Sequence, residues 1–91
     1  MLTRAEIKWL HGLTRKRQRD AEGLFIAEGP KVVGDLLALL PCRLLLATAD
    51  FLQSKAQWSA AEVRELSASE LGRVSLLQAP QQVVAVFEKP T

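Results

Sequence analysis

The chain has 91 residues, a formal net charge of +2, 48% hydrophobic residues, one Cys and one His. That length suits one domain and is too short for two, and with 24% charged residues the chain is neither disordered nor a solenoid. A lone Cys excludes an internal disulfide, one Cys with one His excludes a Cys/His zinc site, and no apolar run approaches the roughly 18 residues of a membrane span.

Arg4, Glu6 and Lys8 interrupt the N-terminus and leave no apolar signal core, so a soluble cytoplasmic domain is expected. Thr3-Arg4-Ala5-Glu6 has capping-box spacing and predicts a helix over about 4–11, with Ile7 and Leu10 on one face and Trp9 on the opposite one. Gly12 can end it. Thr14 is the expected cap of a second helix reaching about Ala21, and Gly23 its left-handed stop. This helix has almost no apolar stripe and belongs on the surface.

Leu24-Phe25-Ile26-Ala27 reads as a strand, and Glu28-Gly29-Pro30 as a turn with Pro30 in the first turn of a helix. Val32, Val33, Leu36, Leu37 and Leu40 form the stripe of a helix over 31–40, stopped by Pro41. Residues 43–47 are apolar on both faces, as a covered central strand is, and Thr48-Ala49-Asp50 ends the run. The polar stretch 53–61 is expected as helix plus loop, and residues 63–66 as a weak strand. Ser67 and Glu70 repeat the capping spacing before a short helix with Leu71 and Val74. Ala79-Pro80-Gln81 reads as a turn, and residues 83–87 as a second fully apolar strand. The alternation predicts one α/β domain over 1–91. It is a three-layer α/β/α sandwich around a mixed, largely parallel sheet of about four strands.

Positive charge is concentrated at the front. Residues 1–31 carry seven Lys/Arg against four Asp/Glu, a balance of +3, and residues 32–91 five against six, a balance of −1. The densest point is Arg15-Lys16-Arg17-Gln18-Arg19. Close like charges on a helix repel by roughly a few tenths of a kcal/mol per pair. Two readings stay open, solvation on an exposed helix or binding of a polyanion. Gly29-Pro30-Lys31 opens the long helix, where N–H groups and the helix dipole suit phosphate, or is simply a tight turn. Trp9 is either a base-stacking surface or a lid over helix packing, and Phe25 reads as core.

Catalytic signatures are absent from the pattern. No Gly-rich phosphate loop is present, His11 has no acid beside it, Cys42 enters an apolar strand as small filler, and Glu62 and Glu65 read as solvated. Nothing forms a nucleophile, base and orienting group together, so these residues are expected to be inactive alone.

Arg15-Lys16-Arg17-Gln18-Arg19, four further residues, and then Leu24-Phe25-Ile26-Ala27-Glu28-Gly29-Pro30-Lys31-Val32-Val33 carry a family pattern. It is a basic Arg-containing segment before Phe, aliphatic, any, Glu-Gly, any, Lys, aliphatic. The stretch resembles the opening of the SpoU/TrmH-type RNA 2′-O-ribose methyltransferases of the SPOUT superfamily. Val63-Arg64-Glu65-Leu66-Ser67 with Glu70-Leu71, and Ala79-Pro80-Gln81 before Val83-Val84-Ala85-Val86-Phe87, resemble its later landmarks, so the likeness spans about 3–90.

The resemblance implies the family's N-terminal RNA substrate-binding domain, with a fold similar to kink-turn-binding ribosomal proteins. It implies ribosomal or transfer RNA as partner, no membrane, and a parent enzyme able to form a homodimer. S-adenosylmethionine is implied for a separate catalytic domain beyond Thr91, and no cofactor or metal for these residues. Carried over, Arg19 matches the recurrent Arg of the basic segment, Glu28-Gly29 the strand-end pair, and Lys31 the basic residue after it. Arg19 and Lys31 then lead the expected RNA contacts, with Arg15, Lys16 and Arg17 as supporting charge and Gly29 at the corner. Glu28 is expected to bond loop backbone or an arginine, because a carboxylate repels phosphate. Gln82, where Gly is commoner, and Pro30, which stiffens the helix start, depart from the pattern. The competing readings are a dimerisation or docking module for the catalytic domain, and a stand-alone kink-turn-type RNA-binding protein.

Overall fold

The computed structural model describes residues 2–54, 60–75 and 82–90. Helix α1 runs Arg4–Gly12. The Thr3 hydroxyl accepts from the Glu6 backbone N–H at 3.1 Å, and the Glu6 carboxylate accepts from the Thr3 N–H at 2.9 Å, so both halves of the capping box form. Helix α2 runs Lys16–Glu22 and buries none of its residues. Thr14 does not cap it. Its hydroxyl turns back to donate to the His11 carbonyl at 2.8 Å, and Arg15 takes the cap position without a side-chain bond. Gly23 stops α2 at φ +67°, the left-handed conformation expected there.

Strand β1 (Leu24–Glu28) leads through Gly29 into α3 (Pro30–Leu37), and β2 (Cys42–Ala47) into α4 (Ala49–Gln53). The 31–40 expectation overshoots, because the last residues close as turns on the Leu36 carbonyl. Helix α4 begins earlier than the polar stretch suggested. Thr48 caps it by accepting from the Phe51 N–H, and burial of Phe51 holds it down. Residues 55–59 of that stretch and the turn at Ala79-Pro80-Gln81 lie outside the described residues. Strand β3 (Val63–Glu65), α5 (Ala68–Val74), with its Ser67/Glu70 capping box, and β4 (Val83–Glu88) complete the order.

The four strands form one mixed sheet in the order β1-β4-β2-β3. Strands β1, β2 and β3 point the same way, but β4 lies between β1 and β2 and runs antiparallel to both. Only β2 and β3 pair in parallel. The parallel character expected of the sheet therefore holds for strand direction and not for most of the pairings. A bulge at Arg43 makes Cys42 and Leu44 face opposite sides, although they are two residues apart.

Each face of the sheet carries its own core. On one side Leu10 of α1, Leu13 after it, and Leu71 and Val74 of α5 pack on Leu24, Leu44, Leu46, Val84 and Val86. On the other, Val33 of α3 and Phe51 of α4 pack on Ala27, Leu45, Ala47, Val83, Ala85 and Phe87. Alternate residues of β4 feed the two cores, and all five from Val83 to Phe87 are fully buried. The expected three-layer α/β/α sandwich is the result.

Candidate functional site

Helices α1 and α2 meet at Gly12. A Cβ there would come within 2.1 Å of the Gln18 side-chain oxygen, so the missing side chain is what lets Gln18 lie over α1. From that position the Gln18 amide donates to the Trp9 carbonyl at 3.1 Å. A second tie crosses the same junction, from the Trp9 indole N–H to the Glu22 carboxylate at 2.7 Å. Trp9 and Ile7 are both half-buried against one core cluster, so the opposite-face separation expected of them is only partial.

The cationic run is divided by the fold. Arg19 is partly buried, and its Nη1 donates to the Thr14 carbonyl at 2.6 Å and the Leu13 carbonyl at 3.4 Å, which ties the α1–α2 turn to α2. Lys16 pairs with Asp20 at 2.7 Å one turn on, and Asp20 also takes Lys89 from the end of β4 at 2.6 Å. These two ammonium donors hold the Asp20 carboxyl down at about 2, from an ordinary 3.8. Arg15 and Arg17 are exposed and have no ion pair among the described residues.

Gly29 and Lys31 lie elsewhere. They follow the carboxyl end of β1, whereas α2 ends at its amino end, roughly 17 Å away along a five-residue strand. Gly29 is buried at φ +101°, and its N–H donates to the Val83 carbonyl at 3.1 Å, so it shapes the corner rather than presenting an N–H to a ligand. Lys31 is exposed. Glu28 accepts a 2.6 Å hydrogen bond from the Ser75 hydroxyl.

An open groove of about 1140 Å³ runs along the α1–α2 junction. Arg4, Lys8 and Arg15 line it, with Trp9, Gly12, Glu22 and, on its wall, Ser75. Through the Ser75–Glu28 bond the groove adjoins the corner at the end of β1. Arg4 and Lys8 escaped the sequence reading as site residues. Their signal was a like-charged pair four apart on one helix face, with no ion pair among the described residues. His11 is an exposed member of the same lining, Cys42 is buried with its thiol pushed up to about 11 by burial, and Glu62 and Glu65 are exposed.

Comparison with known proteins bears on the whole chain. A family model described as the MRM3-like substrate binding domain matches residues 4–85. A protein of the TrmH RNA methyltransferase family from Porphyromonas gingivalis superposes with a TM-score of 0.90 at 39% identity, over 100% of this chain and 37% of its own. An rRNA methyltransferase from Sinorhizobium meliloti does so with a TM-score of 0.66 at 28% identity, over 99% of this chain and 36% of its own. The SpoU methyltransferase AviRb from Streptomyces viridochromogenes, at 22% identity, a TM-score of 0.74 and 98% and 37% coverage, shares the fold. The chain thus spans just over a third of the length of these solved structures. No curated protein matches it significantly. With a family model over nearly all of its residues and a neighbour 39% identical end to end, the chain belongs to the MRM3-like substrate-binding domains of the TrmH/SpoU RNA methyltransferases.

Proposed function

We propose that this domain grips the RNA substrate of an S-adenosylmethionine-dependent ribose 2′-O-methyltransferase, acting in the cytoplasm on ribosomal RNA. The observation that carries the reading is the pair of exposed guanidinium groups at Arg15 and Arg17, with no ion pair among the described residues, beside a groove already lined by Arg4 and Lys8. Cations held apart from acids release counterions when they meet phosphate, and arginine suits phosphate geometry. Lys31 adds a contact at the far end of β1, Lys16 adds charge offset by Asp20, and Arg19 acts as a positioning residue. Ribosomal rather than transfer RNA is favoured by the Sinorhizobium neighbour, which is an rRNA methyltransferase.

The cofactor is a different matter. S-adenosylmethionine, bound in a second structure of that Sinorhizobium enzyme, carries a sulfonium cation. A groove lined by Arg4, Lys8 and Arg15, whose acid Glu22 is tied to the Trp9 indole, does not suit that charge. The domain's part in the reaction is therefore to hold RNA.

The test is a titration of this chain with a structured ribosomal RNA fragment at several salt concentrations. Replacing both Arg15 and Arg17 by Ala should weaken binding across sequences and lower the slope of log K against log salt by about 1.4–1.8. An unchanged slope would remove the assignment. A second reading, self-association, is favoured by Val32 and Leu39 on and just after α3, which are 51% and 75% exposed. Sedimentation at several concentrations separates the two, because a strict monomer that binds RNA leaves only the first.

A further inference from the structure

We infer that the α1–α2 groove takes an unpaired nucleotide, its base stacked on the Trp9 indole and its flanking phosphates held by Arg4, Lys8 and Arg15; this rests on the RNA-binding reading above. Four observations meet here. Trp9 lies in the groove wall, half-buried, and its indole N–H is fixed to Glu22 at 2.7 Å, so the ring is held in one orientation before any ligand arrives. Its neighbours along the helix, Ala5 one turn before and Gly12 about one turn after, are small and also line the groove; Gln18 fills the place beside Gly12, so the room beside the ring lies on the Ala5 side. Arg4 and Lys8 stand four residues apart as a like-charged pair, and Arg15 adds a third cation from the head of α2. None of the three has an ion pair among the described residues, so their mutual repulsion is relieved by an anion from outside.

The shape selects the class of ligand. At about 1140 Å³ and open to solvent, the groove exceeds the roughly 300–1,000 Å³ of small-molecule pockets and suits a stretch of chain. An aromatic face with cations beside it matches a base next to its phosphates, an arrangement that single strands and loops offer and a stacked duplex does not. Glu22 repels phosphate, so the RNA backbone runs on the Arg4, Lys8 and Arg15 side while the base turns inward onto Trp9.

The experiment uses the full chain with its other tryptophan replaced, Trp58→Phe, so that Trp9 alone reports. A single-stranded RNA decamer and a blunt RNA duplex of the same strand length are titrated in, with fluorescence followed alongside a gel shift. The single strand should quench Trp9 saturably and the duplex should not. Trp9→Leu should bind the single strand about 5- to 150-fold more weakly, with Trp9→Phe keeping most of the affinity. Silent Trp9 fluorescence under saturating single strand, or equal quenching by the duplex, would overturn the inference even if Trp9→Leu fails to fold. If Trp9 is silent but the Arg15/Arg17 variant loses salt-dependent binding, the stacking site falls and the RNA reading stands. If neither RNA binds at all, both fall.

Discussion

Lys16 and Arg19 belong to the same cationic run as Arg15 and Arg17, yet their surroundings give them different work. Arg19 bridges the turn to the helix through the Leu13 and Thr14 carbonyls, a charge-assisted arrangement that Ala cannot replace. Arg19→Ala should therefore destabilise the fold by about 1 kcal/mol or more, read from urea denaturation, before any effect on RNA is considered. Asp20 makes a second residue-scale prediction. Lys16 and Lys89 hold its carboxyl at about 2, against 3.8 ordinarily. A folded-state value below the ordinary one means that its contribution is complete above about pH 4 and is lost as pH falls toward 2. Denaturation midpoints measured between pH 6 and 2 should fall less steeply over that window in Asp20→Asn than in the unaltered chain. A parallel pair of curves would show that the two lysines do not depress this carboxyl.

At the scale of elements, two glycines carry opposite meanings. Gly12 gives room to the Gln18 amide, which a Cβ there would only displace, while Gly29 is needed for its backbone, φ +101°, between β1 and α3. Gly29→Ala should cost about 1–3 kcal/mol in thermal or urea unfolding, because a side chain is strained there whatever the room around it. Both capping boxes, the left-handed stop at Gly23 and the doubly apolar strands were legible in the sequence, because each rests on residues within a few positions of one another. The insertion of β4 between β1 and β2 was not, since no local pattern records which strands pair across the chain. The bulge at Arg43 and the early start of α4 share that cause: one is set by pairing with β4, the other by burial of Phe51 beneath the sheet. The candidate site was legible as a run of charge but not as a division of labour. The Arg19 bonds to carbonyls and the Trp9–Glu22 tie depend on how α2 folds back on α1.

For the molecule as a whole, the net charge of +2 is the sum of a basic front and a slightly acidic remainder, and in the front Arg4, Lys8, Arg15 and Arg17 have no ion pair among the described residues. Two guanidinium groups at the head of a surface helix that buries nothing contribute no packing and stand against the positive end of the helix dipole. If they serve the fold, removing them should destabilise it. If they serve a polyanion, removing them should relieve repulsion and weaken binding together. The second outcome is expected: Arg15→Ala with Arg17→Ala should leave the melting temperature unchanged or raise stability by about a few tenths of a kcal/mol, while RNA affinity falls. Arg19→Ala should lower both quantities, because the carbonyls it ties down shape the surface on which Arg15 is presented. Thermal melts and RNA titrations of the three chains under one buffer decide the matter. A lower melting temperature in the Arg15/Arg17 chain would assign those residues to folding, and the basic front would then lose its claim to be the RNA-gripping face.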